Sequence, residues 1–229
     1  MKIKKLSILS VFVLLFTIKT FSQALPQFSK DDVNGLDRLI MNPYSKRLDY
    51  AGTASMGLSL LTPAVLFSAP SEDYWKIGVE YAQTIAVAYA VKELCKYCVN
   101  RPRPYMYFDG APEKKIADGD WEKSFVSGHT VFSFAAAGFT SYLFCQYFPQ
   151  SNWKVPVITS SFVLAGITSG LRLASGNHFM TDVLCGAAIG TGIGILVPFL
   201  NSLWIKPSYK SENFQTVISP AGFSFQIKL

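Results

Sequence analysis

The chain has 229 residues, of which 50% are hydrophobic and only 16% charged, with a formal net charge of +6. That length suits one domain with a substantial core, but the composition leans away from an ordinary soluble domain. The positive balance fits anionic partners such as phosphates or lipid head groups. Nucleic acid is not suggested, because no Lys/Arg-rich stripe interleaved with exposed aromatics occurs.

Residues 1–22 set Lys2, Lys4 and Lys5 before an apolar run from Leu6 to Ile18, followed by Thr20-Phe21-Ser22. A charged start, a short apolar stretch and small residues beyond it read as a signal peptide. A retained first span is the alternative, although the run falls short of the roughly 20 residues a spanning helix needs. Either reading sends the chain into the export route, so a bacterial envelope location is expected. In residues 23–50, Val33, Leu36, Ile40 and Met41 recur at helical spacing, with Asp31, Asp32, Asp37 and Arg38 between them. This predicts a short amphipathic helix, lying in the membrane interface or capping a bundle.

Residues 51–205 form the predicted helical bundle. Ala51 to Pro70 carries no charged residue, and Ser71–Lys76 reads as a polar turn with interfacial aromatics. Ile77 to Val91 is apolar except for Glu80 and Gln83 and continues helically toward Lys96. Asn100 to Lys123 is a loop rich in Pro, Gly and charge, whose Glu113, Lys114, Lys115, Asp118 and Asp120 are placed to influence substrate choice. Ser124–Trp153, Val155–Leu171 and Val183–Ile205 are again uncharged. Four uncharged stretches, with a fifth bearing Glu80, predict an all-α, polytopic membrane bundle of about five to six spans. Their many Ser, Thr and Gly residues suit close helix packing. Residues 206–229 form a tail in which Phe223, Phe225, Ile227 and Leu229 alternate with polar residues after Pro220-Ala221-Gly222, predicting a small β-hairpin.

Cys95-x-x-Cys98 could be half of a zinc or redox site, but no second ligand pair follows at suitable spacing. Residues three apart share a helix face, so a packing role is expected for this pair.

Three polar clusters stand at the edges of the apolar runs: Lys96 through Arg103-Pro104, Ser127-Gly128-His129-Thr130, and Arg172 through His178 to Asp182. Counting spans from a Leu6–Phe21 stretch that leaves the cytoplasm places all three on the outer membrane face. Phosphoryl transfer needs positive charge around the equatorial oxygens, an in-line nucleophile and an acid for the leaving oxygen. Arg103 and Arg172 can each bind two phosphate oxygens, and Lys96 adds a point charge. Arg101 is less certain, since one register of the Arg-Pro repeat faces inward. Ser127 and Gly128 can offer a hydroxyl and backbone N–H groups at a helix N-terminus. The chain has only two histidines. Asp182 follows His178 by four residues, on one helix face if the helix begins near Asn177, so the carboxylate can hold His178 as a fixed nucleophile or base. His129, with no such carboxylate nearby in sequence, is free to act as the proton donor.

Lys96-x6-Arg103-Pro104, Ser127-Gly128-His129 and Arg172-x5-His178-x3-Asp182, in this order, resemble the tripartite signature of the phosphatidic acid phosphatase type 2 superfamily. That family includes bacterial class A acid phosphatases and vanadium haloperoxidases. The resemblance runs from about Ile77 to Leu200 and implies a helical bundle working without metal or other cofactor through a phosphohistidine intermediate. It implies His178 as nucleophile, Asp182 as its orienting group and His129 as acid, with Lys96, Arg103, Ser127, Gly128 and Arg172 on the phosphate. Val126 stands where a Pro usually precedes Ser-Gly-His, and Leu171 where a Ser usually precedes the Arg; Ser169 or Ser175 could compensate for the latter. The expected substrate is a lipid phosphate or diphosphate of the phosphatidate, phosphatidylglycerol phosphate, undecaprenyl diphosphate or lipid A type, met at the outer face of the inner membrane. A soluble periplasmic acid phosphatase of broad specificity and a non-catalytic membrane relative are the alternatives, with a haloperoxidase a remote third.

Overall fold

Five long helices run back and forth so that their polar ends collect on one side. The computed structural model describes residues 28–203 and the backbone of 214–219 and 222–227. Residues 1–22, with the expected signal peptide or first span, lie outside the described residues. In order come a short helix α1 (Gly35–Arg38), α2 (Lys46–Leu60), α3 (Tyr74–Cys98), a short α4 (Glu113–Ala117), α5 (Gly128–Tyr147), α6 (Lys154–Ala174) and α7 (Met180–Ser202). A 3-10 segment, Thr62–Ser68, extends α2. No strand occurs within residues 28–203. The expected C-terminal hairpin falls beyond that body, where only backbone is described, with Phe214–Ser219 (β1) antiparallel to Gly222–Ile227 (β2).

The hub is α5, which packs against α7, α6, α3 and α2. Its contact with α7 is close because α7 presents Gly186, Gly190 and Gly194, four residues apart and all buried. A Cβ on Gly190 would stand 2.4 Å from the Val131 carbonyl, and one on Gly194 2.3 Å from that of Ala135. The two backbones therefore touch, as small-residue stripes permit. Toward the end remote from the three polar clusters, Leu66, Phe139, Phe144 and Phe148 form an apolar core.

Elsewhere the bundle is polar inside and apolar outside. Ser55, Ser59, Thr84, Thr140, Ser161 and Thr168 are buried, while Leu58, Val163, Ile167, Leu184, Leu196 and Phe199 are exposed. Ser55 meets Thr168 at 2.8 Å and Thr62 meets Thr140 at 3.1 Å, joining helices through hydroxyls. Lipid supplies no hydrophobic drive between helices, so such hydrogen bonds and small residues hold them. Among the described residues, three helical segments are long and apolar enough to cross a bilayer: Lys46–Ser68, Lys154–Ala174 and Met180–Ser202. The protein is a membrane protein, which sets aside the soluble alternative.

Two sequence expectations need correction. The short amphipathic helix expected over Val33, Leu36, Ile40 and Met41 does not form: residues 28–45 are a 3-10 turn (Lys30–Asp32), the single-turn α1, and an irregular strap leading to α2 at Lys46. The expected apolar stripe is largely exposed at Leu36 and Ile40, while Asp37 is fully buried. Long-range polar partners for Asp37, described below, outweigh the local apolar periodicity. The second correction concerns α7, which begins at Met180 rather than near Asn177, so His178 precedes the helix instead of sharing its face with Asp182.

Candidate active site

Both α5 and α7 start at the polar end of the bundle, and α3 and α6 finish there. Two helix N-termini, each favouring an anion, thus point into one region with Lys96 and Arg172 at the ends of the returning helices. His178 lies between α6 and α7, completely buried, within electrostatic reach of Arg103, Arg172, Lys96 and His129. All three predicted clusters converge.

The hydrogen bonds of His178 define its tautomer. Nδ1 lies 2.8 Å from the Ser124 carbonyl oxygen, which can only accept, so Nδ1 carries the proton. Nε2 then presents its lone pair, and Arg103 Nη1 donates to it at 3.2 Å. Burial, followed by the charges of Arg103 and Arg172, holds the imidazole well below its ordinary pKa, so it is neutral. Asp182 was expected to hold this ring directly, but its Oδ2 is 3.7 Å from Nδ1, beyond a hydrogen bond. That oxygen instead accepts from the Ser124 hydroxyl at 2.6 Å and from the Phe179 N–H at 2.9 Å. Ser124 is therefore the intermediary, with its carbonyl on the imidazole and its hydroxyl on the carboxylate.

Arg103 is buried, with Nη1 also donating to the Asn177 carbonyl at 2.9 Å and Nη2 to Asp120 at 2.6 Å. Arg172 is buried too and pairs with Asp49 at the start of α2; its Nε has no hydrogen-bond partner among the described residues. Gly52 makes room for it, since a Cβ there would stand 3.1 Å from Arg172 Cδ. Lys115, from α4, reaches Asn177 Oδ1 at 2.6 Å and Asp49 Oδ2 at 2.8 Å, with Asp120 at 3.8 Å. Burial pulls its pKa below the ordinary lysine value, against the pull of Asp49. Arg103, Lys115 and Arg172 thus gather around Asp49 and Asp120, with Lys96 within electrostatic reach of Arg103 and Asp120.

His129, in the first turn of α5, places Nε2 3.1 Å from the Thr53 hydroxyl. Ser127 stands buried at the N-cap position of α5, its Oγ accepting from the Thr130 hydroxyl at 3.0 Å rather than from a helix N–H. Lys92 covers Gly128, where a Cβ would meet Lys92 Cδ at 2.8 Å. Among the described residues, no group of three or more His, Cys, Asp or Glu side chains is arranged to hold a metal ion. Cys95 borders the apolar cluster around Val131, and Cys98 is exposed.

The model of the PAP2 superfamily matches residues 77–204. The chain belongs to the PAP2 superfamily. Among curated relatives, lipid A 1-phosphatase of Porphyromonas gingivalis is 28% identical over 137 residues, covering 60% of this chain and 26% of that protein. A PA-phosphatase related-family protein of Dictyostelium discoideum is 25% identical over 158 residues, covering 64% of this chain and 58% of its own length. The chain thus spans between about a quarter and three fifths of the length of these relatives. Among solved structures, a transmembrane PAP2 type phosphatidylglycerolphosphate phosphatase from Bacillus subtilis superposes with a TM-score of 0.51 at 20% identity, covering 86% of this chain and 96% of that one. That likeness concerns the fold.

Against the PAP2 pattern, the two departures have structural explanations of different kinds. Val126 is fully buried and packs with Ala88, Val131 and Ala135, so it fills core space. Leu171 lies one residue before Arg172, with its Cβ position facing Gly52. Neither candidate serine replaces a hydroxyl there: Ser169 donates to the Ala165 carbonyl at 2.9 Å and Ser175 to that of Arg172 at 3.1 Å. Arg101, Ser124, Lys115, Asp49 and Asp120 were not assigned to this PAP2 site from sequence. Arg101 gave a signal as a charge inside the first motif, and Lys115 and Asp120 as charges of the loop that follows it; Ser124 and Asp49 gave none.

Proposed function

We propose that this protein is a lipid phosphate phosphatase using His178 as nucleophile and needing no metal or other cofactor. The observation that carries the reading is the buried neutral imidazole, its proton committed to Ser124 and its Nε2 lone pair turned toward Arg103. An incoming phosphate draws Arg103 onto one of its oxygens, which frees Nε2. Arg172, Lys96, Lys115, the Ser127 hydroxyl and the Gly128 N–H take the remaining oxygens. Nε2 then forms a bond to phosphorus as the phosphorus–oxygen bond to the lipid breaks, and His129, which takes up a proton from solvent once the phosphate dianion sits beside it, gives that proton to the leaving oxygen. The positive charge that develops on His178 is stabilised through Ser124 by Asp182. Water, losing a proton to His129, attacks the phosphohistidine, releasing inorganic phosphate and restoring the imidazole. Preorganised charge and position supply the rate, as in other phosphoryl transfers.

The substrate class follows from the place of the site, at the end of a lipid-facing bundle where a head group can enter while its chains stay in the bilayer. The lipid phosphatases named among the relatives support this choice. We take α3 and α5 as spans beside α2, α6 and α7, making five, or six if residues 1–22 are retained, with the site on the periplasmic face of a bacterial inner membrane. The test is phosphate release in detergent from phosphatidate, phosphatidylglycerol phosphate, undecaprenyl diphosphate and lipid A, with a chelator present. Release from at least one of them, unaffected by chelator and absent in His178→Ala, is expected. Full activity in His178→Ala would refute the mechanism, and loss of activity with chelator would refute metal independence.

A further inference from the structure

The polar network behind His178 continues through Asp182 to a residue far outside the family match. Arg101 donates from Nη1 to Asp182 Oδ1 at 2.5 Å and to Thr181 Oγ1 at 2.8 Å, and its Nη2 pairs with Asp37. Its guanidinium also stacks on the Phe179 ring, 4.2 Å from the centroid. Asp37 is fully buried, yet every side of its carboxylate is met: Thr181 N at 2.8 Å on Oδ1, with Thr181 Oγ1 at 2.8 Å and Asn34 Nδ2 at 2.6 Å on Oδ2, besides Arg101. A carboxylate buried to this degree persists only when paired and hydrogen-bonded. The bonds also explain why a one-turn helix with an exposed apolar side sits where it does.

The same segment clamps the turn that carries the nucleophile. Asn42 donates to the Leu173 carbonyl at 3.2 Å, and the Ser45 N–H to that of Ser175 at 3.2 Å. Gly176, at φ +69°, lets the strap approach so closely that a Cβ would lie 2.4 Å from the Asn42 carbonyl. Residues 42–45 therefore pack on residues 173–176, while Asp37 reaches Thr181 and Arg101.

We propose that Asp37 is a positioning residue of the active site, fixing Asp182 through Arg101 and the first turn of α7 through Thr181, and thereby the orientation of His178. It touches neither substrate nor the reacting atoms. Between Asp37 and Asp182, Arg101 is held with one nitrogen on each carboxylate. Without Asp37, the guanidinium is free to turn fully onto Asp182 and draw it from Ser124, loosening the carbonyl that holds His178 Nδ1. The inference rests on the proposed phosphatase reading for its kinetic arm only.

The test compares full-length wild type, Asp37→Asn, Arg101→Gln and the double variant in detergent on the lipid phosphate the wild type turns over best. Each single variant should lose about ten- to a hundredfold in kcat, the scale of a displacement near 1 Å at a reacting group, with KM within about twofold. The double variant should lose no more than the worse single one, because both act through one chain of contacts. Amide exchange across residues 177–182 should quicken in Asp37→Asn, a readout that does not need turnover. Should Asp37→Asn not fold, Thr181→Val, which removes the hydroxyl shared by Asp37 and Arg101 but keeps the backbone donor, should give the same kcat-selective loss. Wild-type kcat in the folded variants, multiplied losses in the double variant, or unchanged exchange at 177–182 would each overturn the proposal. A wild-type protein inactive on every lipid would instead refute the phosphatase reading, with the exchange measurement still deciding the role of Asp37.

Discussion

Replacing Gly190 by alanine should damage both stability and turnover, whereas the same change at Gly192, half a turn away, should not. The Gly190 Cβ would stand 2.4 Å from the Val131 carbonyl oxygen and 3.0 Å from Phe134 Cβ, both belonging to α5. Non-bonded heavy atoms prefer separations of about 3.5 Å, so α7 must move away from α5 by about 1 Å. Overpacking of this kind costs about 1–3 kcal/mol, and the offending atom here is backbone that cannot swing aside. At Gly192 nothing lies within 4 Å of the added methyl, and alanine improves helix propensity by up to ~1 kcal/mol. The movement reaches the site, because α7 carries Asp182 and α5 follows directly from Ser124 and Ser127. It would stretch the 2.6 Å Ser124–Asp182 hydrogen bond, and about 1 Å of misplacement can lower kcat by about a hundredfold. Unfolding in detergent followed by tryptophan fluorescence, with phosphate release on the same samples, reads both effects. Equal stability of the two variants, within about 0.5 kcal/mol, would refute the close α5–α7 contact.

Other consequences can be checked separately. Lys115→Met should raise KM for a lipid phosphate by about tenfold or more with a smaller change in kcat, since it removes one cation from the phosphate cradle and a hydrogen bond to a charged group is worth about 1.5–3 kcal/mol; steady-state kinetics decide it, and an unchanged KM would remove Lys115 from the cradle. Ser124→Ala should lower kcat while Ser169→Ala leaves it near wild type, because only the Ser124 hydroxyl binds Asp182; equal effects would contradict the intermediary role. The folded pKa of His178 is depressed below 6.5, so the unfolded chain binds the proton first on acidification. Its contribution to stability is therefore complete above about pH 6.5 and is lost as pH falls, by up to about 1.4 kcal/mol per pH unit. Unfolding measured from about pH 7 to pH 5 should be less acid-sensitive in His178→Gln than in wild type; parallel profiles would argue against a neutral buried imidazole.

The residues that carry charge in an apolar setting were legible from the chain alone. His129, His178, Arg103 and Arg172 stand out because so few charges interrupt the helices, and their spacing places them at helix ends. What was not legible depends on contacts distant in sequence. Asp37 and Thr181 are 144 positions apart, and Lys115 meets Asn177 across 62; no local pattern marks such pairs. Periodicity misled at residues 23–50, where Leu36 and Ile40 suggested a buried face that Asp37 occupies instead. The link from His178 to Asp182 was placed correctly in the chain but not in detail. With α7 starting at Met180, the helical i,i+4 geometry does not apply, and Ser124 fills the gap.

The central claim is that His178 becomes covalently phosphorylated. The direct measurement uses lipid labelled in the phosphate with phosphorus-32, a denaturing quench at alkaline pH to preserve phosphohistidine, and peptide mapping. Label on the peptide containing His178, lost on brief acid treatment and absent in His178→Ala, is the result this account predicts. Turnover with no label on protein, or label on a peptide without His178, would contradict it.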